Sequence, residues 1–545
     1  MIFRLLLAAG TIAAACGALN STRPHIVFIF ADDLGWADTS LHGAVQIPTP
    51  NLDALASMSI VLNNYYVQQE CTPSRASLMT GLFPIHHGLH DPLLPASTSG
   101  LPLQMKLLPE YLKDLGYQTH MVGKWHLGYS SFNATPTRRG FDSYYGYLNG
   151  YNDYYQHLLA YGYHKGLDFW SDTEPLPLED DIYATTRFAE RARSIIQNSD
   201  TSKPMFLYLA EQATHSTYWP VWLQAPDGNV EKFTYIGNEN RTIYAGMVDA
   251  LDQSIGVLME ALEEAGMLDN TVLVFSADNG ALPYGPGQNY GFNWPLRGIK
   301  ATLWEGALRA AAFVWSPLLA KSPRVDTHLL HVSDWLPTLY SAAGGNIEEL
   351  GNIDGMDMWQ ALSTGEESPR TELLHDIDAD AGTAAIRYED YKLVVGSYGD
   401  PWDGRHEVIG SSGPQRDLDG LQEESRTAAV LRRFYGDQTL FERRNSEWRR
   451  ESTVDCGADT TNFASGEPYY LYNLKEDPGF GHGRFISFHL HPLRKAGPPA
   501  ETVTIVSFLL EKLNAYRETA RPDIVGVIDE RGYPENNNGV WAPWE

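Results

Sequence analysis

Short apolar runs and longer amphipathic stretches alternate along the first two thirds of the chain. Residues 25–30 (HIVFIF) are continuously apolar, as in a parallel strand buried on both faces, and the run ends at Ala31-Asp32-Asp33. Pro50-Asn51 opens a helix through Leu52, Leu55 and Met58. Residues 107–115 have helical spacing, stop at Gly116, and precede a strand over residues 118–122. Residues 205–210 form another buried strand leading to Thr214-His215, and residues 242–265 a long amphipathic helix. A strand over 271–276 ends at Ala277-Asp278-Asn279-Gly280, followed by a strand over 310–315 and a helix over 334–343. This alternation predicts an α/β fold, a mostly parallel sheet flanked by helices on both faces. Near Ser368 the pattern changes. Residues 385–388 and 391–395 read as hairpin strands, 470–474 as another, and 503–519 as a helix. Residues 22–370 are therefore read as one large domain and 371–545 as a smaller C-terminal α+β domain. The charged, poorly periodic stretch near 400–465 is read as a surface insertion.

Composition narrows the possible roles. Over 545 residues, 43% apolar and 20% charged positions exclude a disordered or fibrous chain. The 40 Lys and Arg against 68 Asp and Glu give a net charge of −28, which argues against a nucleic-acid partner. Residues 1–18 hold one Arg, an apolar run and then small residues, the pattern of a signal peptide for the secretory pathway. A lipoprotein signal ending at Cys16 is the alternative. No stretch approaches about 20 continuous apolar residues, so no membrane span is expected. Acceptor sequons at Asn20, Asn133 and Asn240 fit a eukaryotic export route, lysosomal or secreted. Of the three cysteines, Cys16 leaves if the signal is cleaved after it. Cys71 and Cys456 then either form a bridge or leave Cys71 for chemistry.

The chemistry-bearing residues stand past strand ends, the edge where open α/β sheets bind ligands. Asp32-Asp33 and Asp278-Asn279 offer oxygen ligands suited to Ca2+ or Mg2+ rather than zinc, although turns and helix caps use the same residue pairs. Cys71-Thr72-Pro73-Ser74-Arg75, continuing Ala-Ser-Leu-Met-Thr-Gly81, resembles the sulfatase signature C-x-P-S-R-x-x-L-(L/M)-T-G, whose cysteine is oxidised to formylglycine. Residues 123–128 (GKWHLG) resemble the second signature of that family, and residues 296–300 (LRGIK) with Trp304-Glu305-Gly306 its R-G-x-K…E-G segment. Residues 471–478 (LYNLKEDP) are similar to its C-terminal domain. Residues 63–66 (NNYY), 136–142 (PTRRGFD) and 372–378 (ELLHDID) most resemble the arylsulfatase B branch, which includes N-acetylgalactosamine-4-sulfatase. The likeness covers about residues 24–480, interrupted by the insertion.

The resemblance implies an alkaline-phosphatase-like fold and hydrolysis of sulfate esters. It implies one Ca2+ held by Asp32, Asp33, Asp278, Asn279 and an oxygen of modified Cys71. Arg75, Lys124 and Lys300 would clamp the nucleophile and the sulfate oxygens, where negative charge must be held. The formylglycine aldehyde hydrates to a diol, so one hydroxyl attacks sulfur and the second expels sulfate. His126 is the implied base for that collapse and His215 the acid for the leaving alcohol, with Lys300 nearby. The implied partners are a formylglycine-generating enzyme during maturation and a sulfated carbohydrate, such as a chain-end 4-sulfated N-acetylgalactosamine of chondroitin or dermatan sulfate. Tyr144, Tyr145, Tyr147, Tyr151, Tyr154 and Tyr155 follow the second signature and offer rings for sugar faces. His42, His86 and His87 are read as outside the chemistry, and Arg297 and Arg309 as loop anchors. The chain departs from the family pattern at Thr217, where proline is usual, at Ala307, where glycine is common, and after Pro478. The alternatives are a phosphate or phosphonate ester hydrolase of the same superfamily, and an exported binding protein without turnover.

Overall fold

The computed structural model describes residues 23–218, 220–399, 401–441, 447–454, 468–475 and 500–545. The signal segment, Asn20, Cys456 and the residues after Lys475 up to the last helix lie outside the described residues. Five strands, β1 (His25–Ala31), β2 (Gln118–Lys124), β3 (Ser143–Tyr147), β4 (Met205–Ala210) and β5 (Thr271–Ala277), lie parallel in the order β5-β1-β4-β2-β3. They form the centre of a ten-stranded sheet whose outer strands include antiparallel pairs. Every residue of β1, β4 and β5 is buried, which explains their unbroken apolar runs: a strand covered on both faces has no solvent side to alternate with.

Two of the helices pack in contrasting ways. Helix α1 (Cys71–Thr80) begins at the signature cysteine and buries all ten of its residues. Helix α2 (Glu239–Glu264) is capped by Asn238, whose side chain accepts from Arg241 N, and packs against the amphipathic helix Ala184–Asn198.

A second, four-stranded antiparallel sheet follows, β6 (Glu372–Asp378), β7 (Thr383–Tyr388), β8 (Tyr391–Val395) and β9 (Tyr469–Asn473), paired in chain order. Helix α3 (Ala500–Thr519) covers it through Val506, Leu509 and Leu513. Between Val395 and β9 the chain leaves this sheet, over the stretch that the sequence reading takes as an insertion. The charged insertion contains the helices Leu418–Glu424, Arg426–Tyr435 and Glu447–Ser452, which pack on Pro50–Ser57, α2 and neighbouring parts of the large unit. Arg449 is buried there between Asp53 at 3.1 Å and Asp419 at 2.6 Å. The final residues also return to the large unit: Trp541 is fully buried and its Nε1 donates to Leu159 O at 3.1 Å. With α3 already covering the small sheet, the apolar sides of these segments (Val430, Leu431, Trp541) find their partners on the large unit.

Glu211, directly after β4, is fully buried, and neither carboxyl oxygen has a hydrogen-bond partner. The Ser254 hydroxyl nearby donates instead to Leu251 O at 2.7 Å. Burial pushes the Glu211 carboxyl up from 4.5 to about 8. With the folded value above the unfolded one, its stabilising contribution is intact below 4.5 and is lost as pH rises toward 8. The loss is on the order of 3 kcal/mol by about pH 7. Glu211→Gln is therefore expected to melt close to wild type near pH 5 and well above it at pH 8. A gap in melting temperature that does not change with pH would exclude a charged, unpartnered Glu211 as its cause.

Candidate active site

Parallel pairing explains why the acidic residues meet. Ala31 of β1 lies opposite Ala277 of β5, so Asp32-Asp33 and Asp278-Asn279 leave the sheet side by side at its C-terminal edge. Asp33 N donates to Asp278 Oδ1 at 3.1 Å. Strand β2 delivers Lys124 to the same edge, and β4 leads to His215. At Gly123, φ is +104° and a Cβ would stand 1.8 Å from Ala210 O, so only glycine lets β2 and β4 close beside Lys124. Cys71 is the first residue of α1, where the helix dipole favours negative charge.

The side chains converge tightly. Cys71 Sγ stands 3.4 Å from Asp32 Oδ1, 3.8 Å from Asp33 Oδ1 and 3.4 Å from Lys300 Nζ. Lys124 Nζ donates to Asp32 Oδ2 at 2.7 Å and Lys300 Nζ to Asp33 Oδ2 at 2.8 Å. Arg75 donates to Asp278 Oδ2 from Nη2 at 2.8 Å and from Nε at 3.2 Å. His215 Nδ1 lies 2.6 Å from Ser216 O, which leaves Nε2 facing Lys300 Nζ at 3.4 Å and Asp33 Oδ2 at 3.6 Å. His126 Nε2 donates to Leu93 O at 3.0 Å, and its buried Nδ1 has no partner. The Thr72 hydroxyl donates to His126 O at 3.1 Å, tying that residue to the head of α1. All six residues that the sequence assigns to catalysis thus lie at one sheet edge, together with the four acidic and amide residues.

Burial disfavours charge on Asp32, but Lys124, His215 and Arg75 outweigh it and hold the carboxyl well below the usual range. Burial and the neighbouring Asp32 push Asp278 up to about 7 against the pull of Arg75. Burial pushes the Cys71 thiol well above its ordinary value, opposed by Lys124 and Lys300. Burial, reinforced by Lys124, keeps His126 neutral, and burial lowers His215 against the attraction of Asp33. Ligand atoms of Asp32, Asp33, Cys71 and His215 all lie within 4.8 Å of one another. Beside them Asn279 Oδ1 is a buried acceptor with no donor. Crowded carboxylates and an unpartnered carbonyl oxygen suit a hard divalent cation, so the residues fit the metal that the sequence implies.

Other sequence expectations resolve differently. Cys71 is a free thiol, which sets the bridge to Cys456 aside. His86 pairs with Asp354 at 2.7 Å, His87 lies 3.2 Å from Ser77 Oγ, and His42 stacks on Trp36. Arg297 donates to Asp403 O and Arg309 to Asn63 O, both anchoring main chain. The tyrosine expectation is corrected. Tyr144, Tyr147 and Tyr154 are core residues with no ring face to offer, whereas Tyr145 and Tyr155 are half-buried. Tyr151 differs, its ring parallel to that of His215 at 6.1 Å. Sequence reasoning missed Thr72 and also Asn289, whose Nδ2 donates to Asp33 O at 2.9 Å and Thr214 O at 3.2 Å.

A nucleophile position ringed by three cations and three carboxylates, on a sheet of this topology, defines an ester hydrolase for anionic substrates. The chain belongs to the sulfatase family, whose sequence profile matches residues 24–345. It is a sulfuric ester hydrolase of the arylsulfatase type with the alkaline-phosphatase-like fold. Arylsulfatase J of Mus musculus is 36% identical over 549 residues, covering 97% of this chain and 81% of the relative. N-acetylgalactosamine-6-sulfatase of Homo sapiens is 31% identical over 357 residues, covering 63% and 66%. Among solved structures, Ps i-CgsB superposes with a TM-score of 0.67 at 26% identity, covering 91% of this chain and 93% of that one. Its complex with k-i-k-neocarrahexaose gives a TM-score of 0.66 at 25% identity, with the same coverage.

Proposed function

We propose that this sulfatase removes the 4-sulfate from chain-end N-acetylgalactosamine of glycosaminoglycans, using formylglycine made from Cys71 and one Ca2+. The observation that carries the reading is the convergence of Cys71 with Arg75, Lys124 and Lys300 at the N-terminus of α1. Asp32, Asp33, Asp278, Asn279 and an oxygen at position 71 hold the ion. When bound, Ca2+ supplies Lewis-acid polarisation and two positive charges beside the nucleophile. Without it, three carboxylates balance three cations. With it, the surplus of charge matches an anionic nucleophile and a sulfate monoester. Lys300, 3.4 Å from Sγ, holds the nucleophile and the incoming sulfate oxygens, together with Lys124 and Arg75.

The two histidines take separate proton roles. His126 donates through Nε2 to Leu93 O, so Nδ1 keeps the free lone pair of a base. As the imidazolium, which Asp33 at 3.6 Å favours, His215 donates Nδ1–H to Ser216 O and keeps a second proton on Nε2 for the leaving alcohol, beside Lys300. The maturation partner is a formylglycine-generating enzyme, and a mass measurement on the peptide containing residue 71 reads its product directly.

Support for the sugar comes from the arylsulfatase B-like segments at 63–66, 136–142 and 372–378, and from the similarity to a sulfatase named for N-acetylgalactosamine. Exposed Asn133 and Asn240 sequons and the leader support lysosomal or secreted localisation. The test compares kcat/KM on 4-sulfated and 6-sulfated N-acetylgalactosamine oligosaccharides and on a steroid sulfate. The 4-sulfate is expected to lead by at least about tenfold. A lead for the 6-sulfate or the steroid rejects the sugar position and leaves the sulfatase assignment in place.

A further inference from the structure

A run of bonds outside the reacting groups links the C-terminus to the nucleophile loop. His90 is buried, with Nδ1 2.9 Å from Asp376 Oδ1 on β6 and Nε2 3.1 Å from Asp523 Oδ1 in the segment after α3. An imidazole with a carboxylate at each nitrogen is satisfied only as the imidazolium, which donates from both. Asp376 Oδ2 also accepts from Gln69 Nε2 at 2.8 Å, two residues before Cys71. Gln69 O in turn accepts from Ala301 N at 2.9 Å, beside Lys300. Three residues after His90, Leu93 O holds His126 Nε2 at 3.0 Å and Leu93 N donates to Thr72 Oγ1 at 3.2 Å. The C-terminal strap lies along the same loop: Arg521 N donates to Ile85 O at 2.8 Å, Ile524 N to Gly88 O at 2.8 Å and Thr98 N to Val527 O at 2.9 Å.

We propose that His90 is a positioning residue that fastens the C-terminal strap and the small sheet to the loop leading into Cys71, and so fixes Cys71 and His126 for turnover. The inference rests on the assignment of those two residues to the reaction. The groups facing His90 are Asp376 and Asp378 from β6, Asp523 from the strap, its neighbour Asp91, and His87 from the preceding turn. Burial works against its charge, but Asp376 and Asp523 outweigh it and push His90 up to about 9. Without the imidazolium, Asp376 and Asp523 face the gap as unpaired carboxylates, and repulsion lifts the strap.

The test uses the full-length, formylglycine-bearing enzyme and its His90→Gln, His90→Lys and Asp523→Asn variants. It measures kcat and KM on an aryl sulfate, and hydrogen exchange at the amides of residues 521–528. His90→Gln is expected to lose about tenfold or more in kcat with KM within about twofold, since misplaced groups cost turnover rather than affinity. Its strap amides are expected to exchange at least about tenfold faster. His90→Lys restores the charge and is expected to recover most of both. Wild-type kcat in His90→Gln, or a His90→Lys enzyme as impaired as His90→Gln, overturns the proposal. If His90→Gln does not fold, Asp523→Asn decides: a loosened strap with reduced kcat supports it, and a loosened strap with unchanged kcat overturns it. His126→Ala separates the two levels. It should lose turnover with the strap fully protected, and retained turnover there would instead sink the catalytic assignment.

Discussion

Cys71→Ser is expected to lower steady-state turnover of an aryl sulfate by about 10⁴-fold while leaving the fold intact. The residue is buried, yet exchanging sulfur for oxygen changes little volume, and the hydroxyl inherits the place beside Lys300 and Asp32. The loss arises in the second half of the reaction. Serine has one hydroxyl, so it can accept sulfate, but it has no second hydroxyl whose deprotonation expels it. A single burst of alcohol, equal to the enzyme present and followed by arrest, is the expected signature. Continued turnover near the wild-type rate would rule out formylglycine as the nucleophile.

Strands buried on both faces were the most legible elements. β1, β4 and β5 match their apolar runs to within one residue, because burial on both sides leaves one pattern to see. Helix α1 shows the opposite case. Its ten residues are all buried, so it has no amphipathic period, and its polar side chains bond inward: Ser74 and Arg75 to Asp278, Ser77 toward His87. Only the signature marked it. Strand β3 was not marked by periodicity, and Tyr144 and Tyr147, offered in sequence as rings for sugar faces, fill the core. The residues that converge at the sheet edge were legible through their motifs. Their supports were not. Gln69 to Asp376 spans 307 positions and Thr72 to His126 spans 54, and no local periodicity encodes such pairings. The same holds for His90, which looks in sequence like one more histidine in a short cluster.

Chelation should remove activity over time, and Ca2+ or Mg2+ should restore it, because the assigned ligands are all oxygens. Asp278→Ala is expected to reproduce the loss without being rescued by either ion, for two reasons that act together. One ligand oxygen disappears from a site whose other members are already buried and crowded. In addition, Arg75, whose guanidinium is fully buried, keeps only Asp32 at 3.6 Å as an ionic partner among these acids. Breaking a buried pair from one side costs about 3–5 kcal/mol, so the variant should also melt earlier than wild type. A thermal shift separates the two effects. Added Ca2+ should raise the melting temperature of metal-stripped wild type and leave Asp278→Ala unmoved, because a ligand stabilises only the fold that binds it. If Ca2+ stabilises and reactivates Asp278→Ala as well as wild type, Asp278 is no ligand. If Zn2+ alone restores the stripped wild type, the site performs phosphatase-like chemistry and the Ca2+ assignment fails with it.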